Sequence, residues 1–147
     1  MKKFLCLLLI LCILPVCAFA GYLDVFNIYA KVMEVPQLDE SMKVSGKNNM
    51  DIYRSDMCTI AFSLKSSGYP ECIIVEGNDI NFFAYSLASL MYFDDMKYFS
   101  AYAASLLSDA MMCRSGGEKT RRFADNLAYS ISKSETTEGN LLIVVGE

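Results

Sequence analysis

Cys72-Ile73-Ile74-Val75, bounded by Pro70 and Gly77, is the stretch on which the fold turns. The run is short and rich in β-branched side chains, which suit an extended backbone better than a helix. It reads as a brief strand or an extended loop. Its one obvious partner is Leu141 to Val145, a second apolar run of β-forming residues. The two can make a small ribbon, or the second can dock as an extended tail.

The segments around these runs read as helix. Asp79 can cap a helix that places Ile80, Phe83, Ala84, Leu87, Leu90 and Met91 on one face. Asp94 and Asp95 mark the next start, where acidic groups suit the positive end of the helix dipole. From there Met96, Phe99, Ala103, Leu106, Ala110 and Cys113 alternate three and four residues apart, the spacing of a seam packed against neighbours. Gly116-Gly117 closes that helix. Glu118 to Lys133 reads as the last one, with Phe123, Leu127 and Ile131 as its buried stripe, and Ser134 to Gly139 as a polar linker.

Toward the N-terminus, Tyr22 to Val35 reads as a first helix, with Phe26, Ala30 and Met33 on one face and Pro36 as its stop. Gln37 to Asn48 is polar and reads as a loop. Asn49 to Ser67 reads as a second helix on the stripe Tyr53, Met57, Ile60, Ala61 and Leu64, ended by Gly68 and Pro70. The expected fold class is mainly α: a small bundle of about five helices with a possible short β-ribbon or extended C-terminal tail.

Met1 to Ala20 has the layout of a cleavable signal peptide. Lys2 and Lys3 form a basic start, Phe4 to Val16 is an unbroken apolar run, and Ala18-Phe19-Ala20 supplies small residues where a signal peptidase reads. The apolar run falls short of the roughly 20 residues that span a bilayer. Leu14-Pro15-Val16-Cys17 looks like a lipobox, but Val16 stands where a small residue is required, so no membrane anchor is expected. The expectation is a periplasmic or secreted chain whose single domain is residues 21–147. Loss of Lys2 and Lys3 makes the formal net charge of −4 more negative by two. Such a surface repels nucleic acid and suits a basic partner.

Three cysteines, Cys58, Cys72 and Cys113, stay with the exported domain, in a compartment that permits disulfides. One bridge and one free thiol is the simplest state. The sequence has no histidine and no C-x-x-C pair, so no metal site is expected. The commonest general base and most nucleophilic triads are missing with histidine. The acidic pairs Asp39/Glu40 and Asp94/Asp95 are adjacent in the chain, whereas glycosidase carboxylates face each other across a sugar. No cofactor motif is present, and no enzyme is expected. The aromatic cluster that includes Phe82, Tyr85 and Tyr92 exceeds one helix face. It points either to packing against a second neighbour or to a surface for protein binding or homodimerisation.

The stretch Cys72 to Cys113 resembles the C-terminal half of small periplasmic immunity proteins, which neutralise type VI secretion effectors that cleave peptidoglycan. The likeness lies in the loop Cys72-Ile73-Ile74-Val75-Glu76-Gly77-Asn78-Asp79 and the helix Ala103-Ala104-Ser105-Leu106-Leu107-Ser108-Asp109-Ala110 closing at Cys113. Gly46-Lys47-Asn48-Asn49-Met50 is similar to that family's polar entry to its first core helix. Ile74 and Met112 stand near places where the family carries proline. The resemblance implies a Cys72–Cys113 disulfide with Cys58 free; a local Cys58–Cys72 bridge is the alternative. It also implies an exported inhibitor that plugs the cleft of a toxic cell-wall hydrolase, with Glu71, Glu76 and Asp79 as candidate partner contacts. The second expectation is a self-associating helical accessory protein without catalytic activity.

Overall fold

The computed structural model describes residues 21–56, 58–94, 98–117, 119–122 and 127–146. The signal-peptide reading of residues 1–20, the seam position Met96 and the stripe position Phe123 lie outside the described residues.

The two apolar runs do pair. Pro70–Gly77 (β4) and Leu141–Gly146 (β7) lie antiparallel, with Ile73 opposite Val145 and Val75 opposite Ile143. They form the middle of a sheet, not an isolated ribbon. Lys43–Lys47 (β1), Met50–Ser55 (β2) and Cys58–Leu64 (β3) lead into β4 as a meander. Lys119–Arg122 (β5) and Ala128–Lys133 (β6) lead into β7 from the other side. The spatial order is β1-β2-β3-β4-β7-β6-β5, antiparallel throughout.

Three α-helices are described: Tyr22–Val32 (α1), Ile80–Phe93 (α2) and Phe99–Arg114 (α3), with a 3-10 turn at Glu40–Met42. The mainly α five-helix bundle expected above is therefore corrected to a mixed α/β fold. Helices were expected over Asn49 to Ser67 and over Glu118 to Lys133, and the elements described there are the antiparallel strands β2, β3, β5 and β6.

The physical reason lies in two periods that share residues. Tyr53, Ile60, Ala61 and Leu64 fit a 3.6-residue stripe, but the inward positions are Tyr53 and Ser55, then Cys58, Ile60 and Phe62, a period of two. The same holds for Tyr129 and Ile131, which are buried, against half-buried Ser130. The turns fix the choice. Asn48 and Asn49 both have positive φ (55° and 60°), the two-residue hairpin turn that asparagine tolerates. Asp56, at φ 39°, marks the turn between β2 and β3. The polar loop expected to Asn48 thus contains β1 and half of a hairpin turn.

The remaining helix expectations survive with adjusted ends. Asp79 caps α2 by accepting from the Phe82 N–H at 3.0 Å. Leu106, Ala110 and Cys113 of the α3 seam are buried. Asp94 caps the C-terminus of α2, not the start of α3, and accepts the Tyr102 hydroxyl.

The helices cover one face of the sheet. Phe26 of α1 meets Phe62 edge-on at 5.1 Å between ring centroids, and Phe62 meets Tyr53 the same way at 5.7 Å. Phe82 and Tyr85 of α2, with Leu106 and Ala110 of α3, close the core over Ile73, Val75, Ile143 and Val145. The Tyr85 hydroxyl donates to the Pro36 carbonyl at 2.7 Å and bonds Ser55 Oγ at 3.1 Å, tying α2 to the chain on both sides of β1. Phe82 and Tyr85 are fully buried and Tyr92 is half-buried, so the aromatic surplus packs against second neighbours.

Candidate functional site

The sheet has a second face. Side chains alternate along each strand, so residues flanking the core positions of β2, β3, β4, β7 and β6 point away from the helices. The loop between β6 and β7 lies over the Glu76 end of this face, and no helix packs on it among the described residues. In an antiparallel sheet with one wet face, such positions are ordinarily polar. Here the middle strands break that rule. Ile74 and Val144 face each other across the β4–β7 pair, with Leu142 opposite Glu76 and Cys72 opposite Gly146. β4 and β7 therefore carry apolar residues toward both faces, the composition of strands buried on both sides. Ala61 of β3 and Ile52 of β2 extend the same row outward.

Charged groups border this apolar centre. Arg54 is exposed on β2 opposite Thr59, which in turn stands opposite Glu76. Glu76 Oε1 accepts from Ser134 Oγ and from Thr136 Oγ1 at 2.9 Å. Burial pushes this carboxyl up, but bonds from Ser134, Thr136, Thr137 and Asn140 outweigh it and hold the group below the usual glutamate range. Glu71 accepts from Ser63 Oγ at 2.9 Å at the other end of β4. At Gly146 a Cβ would meet the Glu71 carbonyl oxygen at 2.8 Å and Cys72 Cβ at 2.9 Å, so only glycine fits this close strand approach.

The three expected contact acids do not form one loop. Glu71 and Glu76 lie on β4, and Asp79 is occupied as the α2 cap while also accepting the Cys58 thiol at 3.6 Å. The expected Cys72–Cys113 disulfide is corrected as well. Cys72 points to the open face, and Cys113 is buried under α3 with its thiol directed to the Ile131 carbonyl, so the sheet stands between them. All three described cysteines, Cys58 included, are free thiols. Burial raises the Cys72 thiol above its ordinary value, and it pushes Cys58 up to about 12 with help from Asp79.

Two polar clusters lie on the helix side. Asp109 of α3 is buried and accepts from Arg121 Nε at 2.6 Å, Arg121 Nη2 at 3.0 Å and the Tyr129 hydroxyl at 2.6 Å. Asp51 pairs with Lys43 Nζ at 3.0 Å and accepts the Tyr22 hydroxyl at 2.5 Å. Each cluster is satisfied internally and joins a helix to a strand, which is the work of a structural tie. Among the described residues no three acids or thiols converge as a metal site would need, and no helix is long and apolar enough to cross a membrane.

Sequence reasoning missed Ile52, Arg54, Leu142 and Val144 as surface residues. The signal that marks them is the unbroken apolar run itself. Residues 72–75 and 141–145 are apolar at consecutive positions, which in strands means apolar on both faces. Compared with protein-family profiles, curated proteins and solved structures, the chain matches none.

Proposed function

We propose that this chain is an exported, non-catalytic protein-binding module that docks its partner on the open face of the sheet. The observation that carries the reading is the two-sided apolar character of β4 and β7 where only one side is covered by the chain's own helices. Ile74, Val144 and Leu142 are half-buried, and the area they leave in water forgoes the roughly 25 cal/mol per Å² that burial of apolar area returns. Neither sheet edge offers as good a surface. Both end strands are short, Lys-Val-Ser-Gly-Lys and Lys-Thr-Arg-Arg, and β1 carries a bulge, features that discourage strand addition.

The narrower expectation, an inhibitor of a periplasmic cell-wall hydrolase, came from the family resemblance, and its contact residues were chosen on a disulfide-held acidic loop. That loop is a strand, its disulfide is absent and Asp79 is engaged as a cap, so the proposal keeps only the binding role. Ile74→Asp tests it. The variant leaves every helix contact intact, and it should abolish retention of a stoichiometric partner by the exported chain while circular dichroism stays unchanged. Retention that is indifferent to Ile74→Asp would remove the open face from the proposal.

A further inference from the structure

We infer that a second copy of this chain packs against the outer face of α3, helix on helix and antiparallel, about a two-fold axis. That face belongs to the helix layer, on the other side of the sheet from the open face, and owes nothing to the docking proposed there.

α3 is apolar on both of its sides. Tyr102, Leu106, Ala110 and Cys113 are buried in the core, and Asp109, the one acid of the helix, is buried with its Arg121 and Tyr129 partners. The outward positions carry no charge until Arg114 in the last turn, whose guanidinium donates to the Asn78 carbonyl at 3.1 Å. In place of charges stand Leu107, Met111 and Met112, which are 54%, 68% and 52% exposed, and Ile80, two residues beyond Asn78, is 77% exposed. A helix that is apolar all round is ordinarily covered on every side. Ala101, Ala104, Ser108, Met111 and Ser115 also alternate three and four residues apart, the spacing of a second seam.

Three properties of the face select the occupant. The first is the distribution of size. The exposed residues of the N-terminal half are small, Ser100, Ala101 and Ala104, and those of the C-terminal half include Leu107, Met111 and Met112. An antiparallel copy that sets Ala104 against Ser108 also sets Ala101 against Met111 and Ser100 against Met112. The two-fold axis repeats each match, so both methionines of each copy meet a small residue. A parallel copy stacks methionine on methionine. The second property is charge. The chain carries 17 acidic and 13 basic residues, yet this seam has none, so two copies meet on it without a like-charge contact. A lipid surface suits it less, because helices that lie on membranes carry Lys and Arg along the polar face, and α3 has Arg114 alone. The third is area. The 16 residues of α3 run about 24 Å, and a strip one helix wide offers roughly 500 Å² per copy once side-chain relief is included. The total of roughly 1,000 Å² reaches the lower bound of a specific interface.

The test is sedimentation of the exported chain over a range of concentrations, with Met111→Glu, Ala101→Met and the double exchange Ala101→Met/Met111→Ala alongside. Both positions are exposed, and circular dichroism verifies that every variant is folded. The wild type is expected to dimerise at micromolar concentration. Met111→Glu buries a carboxylate twice in the seam and weakens the dimer roughly 100-fold or more. Ala101→Met sets methionine on methionine and weakens it roughly tenfold. The double exchange returns a small residue to each methionine and recovers to within about threefold of the wild type. A wild-type chain that sediments as a monomer overturns the inference. So does a dimer unmoved by Met111→Glu, or a double exchange no tighter than Ala101→Met alone. Ile74→Asp separates this face from the sheet: the dimer should survive it, and a dimer that it breaks while Met111→Glu does not would overturn the α3 assignment. A monomer that binds phosphatidylcholine vesicles or a different protein, and loses that binding in Met111→Glu, overturns the second copy as occupant.

Discussion

Tyr85→Phe removes one oxygen from the centre of the molecule, and the structure says what that costs. The ring is fully buried, and its hydroxyl joins the Pro36 carbonyl to Ser55 Oγ, residues far apart in the chain. A net hydrogen bond contributes about 0.5–1.5 kcal/mol, and a buried partner left unsatisfied costs about 1–3 kcal/mol. Ser55 is buried, so both effects apply and the substitution should destabilise the chain by about 1–3 kcal/mol. Urea unfolding of Tyr85→Phe, Ser55→Ala and the double variant reads the cycle. With Ser55 already gone, Tyr85→Phe should cost about 1 kcal/mol less than in the wild type. Alkaline pH supplies a second readout. Burial holds the Tyr85 hydroxyl above its ordinary value, so it stays neutral in the folded chain while the unfolded chain ionises above about pH 10. The stabilisation is complete below that pH and is lost as pH rises toward the folded value. The deficit of Tyr85→Phe should therefore shrink by up to about 1.4 kcal/mol per pH unit above pH 10. Additivity in the cycle, with a deficit constant through pH 11, would refute the reasoning.

Three further outcomes are expected. Ile143→Ala, on the helix side, should cost about 2–5 kcal/mol, whereas Ile74→Ala, measured at dilutions where the chain is monomeric, should cost roughly 1 kcal/mol or less; equal costs by denaturant titration would contradict the register. Asp109→Ala should cost about 2–3 kcal/mol at neutral pH, because the carboxylate accepts from both Arg121 and Tyr129. Burial raises the Asp109 carboxyl, but the Arg121 and Tyr129 bonds outweigh it and hold the group low. Its stabilisation is thus present above about pH 4 and vanishes as pH falls through the depressed value, so the Asp109→Ala deficit must close in acid. Alkylation of the native chain at dilution should label half-buried Cys72 first, faster as pH rises, with Cys58 and Cys113 reacting only after unfolding; a Cys72–Cys113 cross-linked peptide in the mass map would contradict their placement.

The open face was half legible. Residues 72–75 and 141–145 pair as their composition implied, but a face exists only once neighbours exist. Arg54 and Glu76 are 22 positions apart in the chain and share a row only because β3 lies between them. The disulfide inference failed for a related reason. Cysteine spacing says nothing about which side of a sheet a thiol faces, and an alternation of one residue sends Cys72 away from the core that holds Cys113.

What the sequence by itself determined is local. The Phe26/Ala30 stripe sets the first helix, Asp79 caps the second, the seam ending at Cys113 sets the third, and the two β-branched runs are extended. These follow from caps, breakers and side-chain shape acting within a few residues. The tertiary structure alone decided the state of residues 50–55, 58–64, 119–122 and 128–133. There the apolar residues satisfy a helical and a strand period at once, so local preference cannot choose. Pairing chooses: β3 and β6 satisfy the N–H and C=O groups on the outer edges of the central β4–β7 pair, and β2 and β5 do the same for β3 and β6.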